Sequence, residues 1–138
     1  MKQKTKTLTI ATRGPGFSDV TAELRRFVAA CEIETGILTV FVPHTSCSLL
    51  IQENADPDVL RDLADAYARF APRDADYRHT TEGPDDMPAH IKSSLTAVSL
   101  SIPILTGALA LGVWQAVYLF EHRDAAHTRN IVLHVIGE

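Results

Sequence analysis

From His79 to His90 the chain reads His79-Thr80-Thr81-Glu82-Gly83-Pro84-Asp85-Asp86-Met87-Pro88-Ala89-His90, two histidines bracketing three carboxylates around a Gly-Pro turn. Neutral imidazole nitrogen and carboxylate oxygen hold divalent metals and move protons near neutral pH, and a loop built only to connect two elements has no need of them. Two more polar clusters accompany the segment: His44-Thr45-Ser46 with Glu53-Asn54, and Glu121-His122-Arg123. Each follows or ends an apolar, strand-like run.

By residue type, His44, His79 and His90 are metal or acid–base candidates, and a Zn2+ on three histidines keeps a position for water. The positive end of a helix dipole disfavours imidazolium, so His90, in the first turn of an expected helix, should be neutral. Asp85 and Asp86 have two competing uses: capping that helix, or holding Mg2+ while a substrate phosphate bridges the metal. Lys92, Ser93 and Ser94 follow closely, where an anion could meet the helix N–H groups. Glu121 is a candidate base or ligand and Arg123 a bidentate phosphate clamp; the plainer alternative is a rim salt bridge between them, or with another element. There is no His-Glu-x-x-His, no Cys-x-x-Cys and no glycine-rich phosphate loop. Cys47 has no base beyond distant His44, which argues against a thiol nucleophile.

The elements that must position these groups follow from periodicity. Lys4 to Ala11 predicts a strand ended by Arg13-Gly14-Pro15-Gly16. Ser18 is the expected cap of a helix with Asp19 in its first turn, buried along Val20, Leu24, Phe27, Val28 and Cys31. Ile37 to Pro43 alternates as a strand, and Cys47 to Ile51 is a second apolar run. Asp56-Pro57 opens a helix with Val59, Leu60, Leu63, Ala64, Tyr67 and Phe70 on its apolar side, and Pro72 stops it. Tyr77 to Asp86 reads as an ordered loop. A third helix starts near Asp86, with Ile91, Leu95 and Val98 as its stripe. Ser99 to Leu105, Val113 to Glu121 and Asn130 to Ile136 read as strands, the last two as a hairpin across Arg123 to Arg129. The order predicts an α+β fold, a mixed and largely antiparallel sheet with about three helices in one domain spanning 1–138.

Composition narrows the function classes. The 138 residues are 46% apolar and 22% charged, with net charge −4 and pI about 5.8, which disfavours broad binding to nucleic acid or anionic membranes. The longest apolar stretch, Leu95 to Leu111, is broken by Ser99, Ser101, Pro103, Thr106 and Gly107, so no membrane span is expected. With no secretion-type leader and two unpaired-looking cysteines, a cytoplasmic setting is expected. Trp114 is expected in the core, with a subunit interface as the alternative, because the apolar Ile102–Val117 region exceeds what one small sheet face needs.

Several stretches together resemble the YjbQ family, also described as secondary thiamine-phosphate synthases. They are Pro43-His44-Thr45-Ser46, Asn54-Ala55-Asp56-Pro57, Gly83 to Lys92, Gly112-Val113-Trp114-Gln115 and Glu121-His122-Arg123. The resemblance implies a compact α+β subunit forming a homotrimer, with polar motifs near subunit interfaces. It also implies a weak transferase activity joining a pyrimidine-methyl diphosphate to a thiazole phosphate. His44, His90, Glu121 and Asp85 are then the catalytic candidates. Thr45, Lys92, Ser94, Arg123 and Gln115 are the candidates for binding a small phosphorylated substrate. His44, His79, His90, Asp85 and Asp86 would hold a divalent metal, either Mg2+ brought with the diphosphate or Zn2+ on the histidines. The rival expectations are a metal-dependent hydrolase and a non-catalytic trimeric metal- or ligand-binding protein.

Overall fold

The computed structural model describes residues 1–138. The chain runs β1 (Lys2–Thr12), β2 (Gly16–Asp19), α1 (Thr21–Cys31), β3 (Thr35–Phe41), β4 (Cys47–Glu53), α2 (Pro57–Phe70), α3 (Asp86–Leu95), β5 (Ser99–Leu105), β6 (Ala108–Leu109), β7 (Gln115–Glu121) and β8 (His127–Gly137). This is the α+β fold with three helices that the pattern predicts. The strands form two antiparallel sheets rather than one mixed sheet: β1-β8-β3-β5-β6 and β2-β7-β4. No helix is long and apolar enough to cross a membrane.

The core lies between the sheets. Leu38, Val40, Ile102, Ile104, Ile131, Leu133 and Val135 face it from the larger sheet, and Cys47, Leu49, Val117 and Leu119 from the smaller. Helix α1 closes it with Leu24, Phe27, Val28 and Cys31, the stripe its spacing predicts; full burial of each large apolar side chain is worth about 1.5–3 kcal/mol. Cys31 is a packed thiol donating to the Phe27 carbonyl at 3.1 Å. Residues 16–19 pair with β7 instead of opening α1, so Ser18 is not its cap; the Asp19 carboxylate accepts the Thr21 N–H at 2.9 Å. Asp56 caps α2 as expected, accepting the Asp58 N–H at 2.9 Å with Pro57 at the first helical position.

The predicted β7–β8 hairpin does not form. β7 is buried on both faces from Ala116 to Glu121, so it must be a central strand, and it lies between β2 and β4. β8 alternates buried and open positions and joins the other sheet between β1 and β3. The turn between them thus bridges the sheets; at its start Glu121 is held by Thr12 and Arg129, and His122 by Ser48 of β4. Trp114 and Val113 are exposed, contrary to the core expectation for Trp114. Gly36 and Gly137 face each other across β3 and β8, where a Cβ on Gly137 would lie 2.3 Å from the Thr35 carbonyl oxygen.

Candidate metal centre and its groove

Gly83, at φ +102°, turns the chain into α3 so that Asp85 stands at its N-cap position, without a side-chain capping bond, and Asp86 in its first turn, both buried. Asp86 and His90 are four residues apart and share one helix face. The loop before the helix returns His79 to that face. Asp86 Oδ2 lies 2.6 Å from His79 Nε2 and 3.1 Å from His90 Nε2. One ligand atom from each residue falls within 4.8 Å of the others. Arg123 Nη1 holds the second oxygen of Asp86 at 2.9 Å, leaving Oδ2 as the oxygen presented to the histidines. Burial works to raise the Asp86 pKa, but the His79 hydrogen bond and the charges of His90 and Arg123 outweigh it and hold the carboxyl below its ordinary range.

His90 Nδ1 lies 2.9 Å from the Thr45 carbonyl oxygen. A carbonyl only accepts, so the proton sits on Nδ1 and Nε2 is the nitrogen left for a ligand. If Nε2 keeps its lone pair, it faces a carboxylate oxygen with nothing between them. Relief requires either a second proton, making an imidazolium, or a cation.

The remaining sequence candidates separate into distinct surroundings. His44 is not part of the cluster: its Nε2 accepts the Asn130 N–H at 2.8 Å. β3 stops pairing with β8 at Phe41–Val132, and His44 takes the next free N–H of that edge. Yet His44, Thr45, His90, Ser93 and Ser94 line one open groove of about 530 Å3. Ser94 donates to the Ile91 carbonyl at 2.7 Å. Gln115 lies apart, accepting the Gly112 N–H at 2.8 Å and fixing that loop.

Asp85 does not chelate with Asp86. Its Oδ2 accepts from Arg123 Nε at 2.8 Å and from the Asp124 N–H at 2.9 Å, and the Arg123 bond is the main reason its pKa falls to about 2. Arg123 therefore spans both carboxylates and also donates to the Glu82 carbonyl at 3.0 Å, which takes up the guanidinium expected to grip a phosphate. Glu121 and Arg123 do not pair with each other; each is ion-paired with another element, Arg123 with Asp85 and Asp86 and Glu121 with Arg129. Glu121 is buried, and its oxygens accept from Thr12 Oγ1 at 2.6 Å, Arg129 Nε at 2.8 Å, Arg129 Nη2, and the N–H groups of His122 and Arg123 at 3.0 and 3.3 Å. A carboxylate so saturated is a structural anchor with no free lone pair to act as a base. Burial pushes the Cys47 thiol up to about 11, consistent with an inert cysteine.

Sequence reasoning passed over a buried polar chain. His122 Nε2 is 2.8 Å from Ser48 Oγ, which is 2.6 Å from Thr96 Oγ1. Burial, then the charge of Lys92, lowers the His122 pKa to about 3. A serine inside the apolar run Cys47–Ile51 was the available signal.

A family model described as UPF0047 protein YjbQ-like matches residues 6–138. The UPF0047 protein sll1880 of Synechocystis is 51% identical over 99% of this chain and 94% of its own length. The UPF0047 protein YjbQ of Salmonella typhimurium is 40% identical over 96% of this chain and 97% of its own. The crystal structure of an uncharacterized conserved protein from Clostridium acetobutylicum aligns with a TM-score of 0.88 at 36% identity, covering 95% of this chain and 99% of that one. These findings correct the transferase expectation. The family and these relatives carry a UPF0047 description with no activity attached, so the resemblance brings no thiamine-phosphate synthase function with it. The geometry agrees, because the carboxylate pair and arginine meant for a metal-bound diphosphate are bonded to one another.

Proposed function

The chain belongs to the YjbQ-like UPF0047 family, and from its site we propose that it is a metal-dependent enzyme, its divalent ion held by His79 Nε2, His90 Nε2 and Asp86 Oδ2. The observation that carries this reading is the convergence of both imidazoles on one carboxylate oxygen, with the His90 proton fixed on the far nitrogen by Thr45. Two imidazoles and one carboxylate are the donors of catalytic zinc sites and of non-haem ferrous sites, and they suit such ions better than Mg2+, which prefers oxygen. Ligand atoms bound at about 2.0 Å to a shared ion would stand roughly 3.3 Å apart, and the two Asp86–histidine separations, 2.6 and 3.1 Å, would open slightly to reach that. Bound there, the ion supplies Lewis acidity to a water or substrate oxygen.

The chain's own groups define the rest. Arg123 keeps Asp86 presenting one oxygen, and Thr45 keeps the His90 ring in its ligating tautomer. The groove that shares His90 offers the Thr45 hydroxyl, and Ser94 Oγ as an acceptor, to a small polar substrate. We include self-association in this reading: Val113 and Trp114, 81% and 62% exposed, are apolar surface that a second copy would cover. The test is replacement with Co2+. One equivalent should give visible ligand-field absorption that is absent in His79→Ala and Asp86→Asn; a colourless wild type, or variants that colour equally, would refute the site.

A further inference from the structure

The segment His44-Thr45-Ser46 carries three donors that no protein acceptor uses. His44 Nε2 accepts the Asn130 N–H at 2.8 Å, so the single proton of the neutral ring sits on Nδ1, where no protein atom takes it. Burial, then the charge of Arg129, lowers the His44 pKa and keeps the ring in that neutral form. The Thr45 carbonyl holds His90, but the Thr45 hydroxyl is exposed and unbonded. Ser46 Oγ accepts from Arg129 Nη2 at 3.0 Å, and its own proton meets no acceptor. Arg129 adds a fourth donor. It is 5% exposed; Glu121 and Ser46 engage its Nε and Nη2, while Nη1 bonds to nothing. Nη1 is not sealed in either, because Glu23 Oε2 and His122 Nδ1 are the two side-chain atoms both enclosed and unpartnered.

These four residues border one cavity of about 440 Å3, which shares His44 and Thr45 with the groove that reaches His90. No carboxylate lines either space. The groove's other hydroxyls are spent: Ser93, Ser94 and Thr96 give their protons to the carbonyls of Cys47, Ile91 and Lys92 at 3.3, 2.7 and 2.7 Å. The free donors are thus gathered on residues 44–46 and Arg129. Such a set is complementary to a group that only accepts, and charge-assisted bonds favour an anion among such groups. Glu121 already balances the Arg129 charge through Nε and Nη2, so directed hydrogen bonds rather than net charge select the ligand.

We propose that this cavity is a binding site for a small oxyanion, a carboxylate or a phosphoryl group, held by His44 Nδ1–H, the Thr45 and Ser46 hydroxyls and Arg129 Nη1. The site stands without the metal. That the anion is one end of a substrate whose other end reaches the ion past His90 rests on the metal reading.

The test uses full-length, chelator-treated protein with 15N-labelled histidine, titrated at constant ionic strength with inorganic phosphate or with acetate. The expected result is a protonated His44 Nδ1 whose resonance shifts saturably. Affinity should fall about tenfold in Thr45→Val and in Ser46→Ala, each of which removes one hydrogen bond to a charged group and leaves the His44 probe in place. It should stay unchanged in Asp86→Asn, whose metal cluster is broken, so failure of the metal reading would leave this result intact. Saturation by phosphate alone assigns phosphoryl groups, by acetate alone carboxylates, and by both oxyanions in general. No saturable shift with either anion, a His44 Nδ1 without its proton, undiminished affinity in both hydroxyl variants, or binding lost in Asp86→Asn would overturn the proposal.

Discussion

Replacing His122 by Gln should flatten the pH dependence of stability on its acidic side. His122 is buried among Phe120, Ser48 and Lys92, and its pKa falls from the ordinary 6.5 to about 3 because burial, chiefly, excludes the charged form. Between those values the unfolded chain takes up a proton that the native chain refuses, so stability rises with pH across the window and is lost as pH falls below 6.5. Each unit is worth about 1.4 kcal/mol. Going from pH 7 to pH 5 should therefore remove about 2 kcal/mol through this one residue, a large share of a stability of ~5–15 kcal/mol. Gln keeps an amide near Ser48 and cannot titrate there. Urea unfolding at pH 7, 6 and 5 on both proteins measures the difference, in which the shared contributions of His44, Asp85 and Glu121 cancel. Parallel stability curves for wild type and His122→Gln would show that the imidazole is not held neutral by burial, and the reasoning would fail.

Other expectations can be checked by the same unfolding measurements or in solution. Glu121→Gln leaves the buried Arg129 guanidinium without its counter-charge and should cost about 3–5 kcal/mol; combining it with Arg129→Met should restore most of the loss. Gly137→Ala forces a Cβ to 2.3 Å from the Thr35 oxygen and 2.6 Å from Ile33 Cγ2, and should lower stability by about 1–3 kcal/mol in urea. Light scattering should give the mass of a homo-oligomer, a trimer by the family resemblance, and Trp114→Asp should lower that mass toward one chain.

Much of the fold was legible because it rests on local periodicity. The stripe Leu24, Phe27, Val28 and Cys31 specifies α1, and Asp56-Pro57 marks the start of α2. Strand partnership was not legible. β7 and β8 adjoin in sequence as hairpin strands do, and only the two-sided burial of Ala116–Glu121 places β7 in the centre of the other sheet. The segment 79–90 stood out by residue type, and the fold brings His79, Asp86 and His90 together within it. What sequence could not separate was the partner of each polar group. His44 takes an N–H from Asn130, 86 positions away, and Glu121 pairs with Arg129 rather than Arg123. Such partners are chosen by sheet register, which residue type does not encode.

Elemental analysis of purified protein, wild type beside His90→Ala and His44→Ala, tests the metal centre most directly. About one equivalent of transition metal per chain is expected in the wild type, lost in His90→Ala and retained in His44→Ala, because His44 spends its ring nitrogen on Asn130. Metal retained in His90→Ala, metal lost in His44→Ala, or a wild type that binds none when metal is supplied would contradict it.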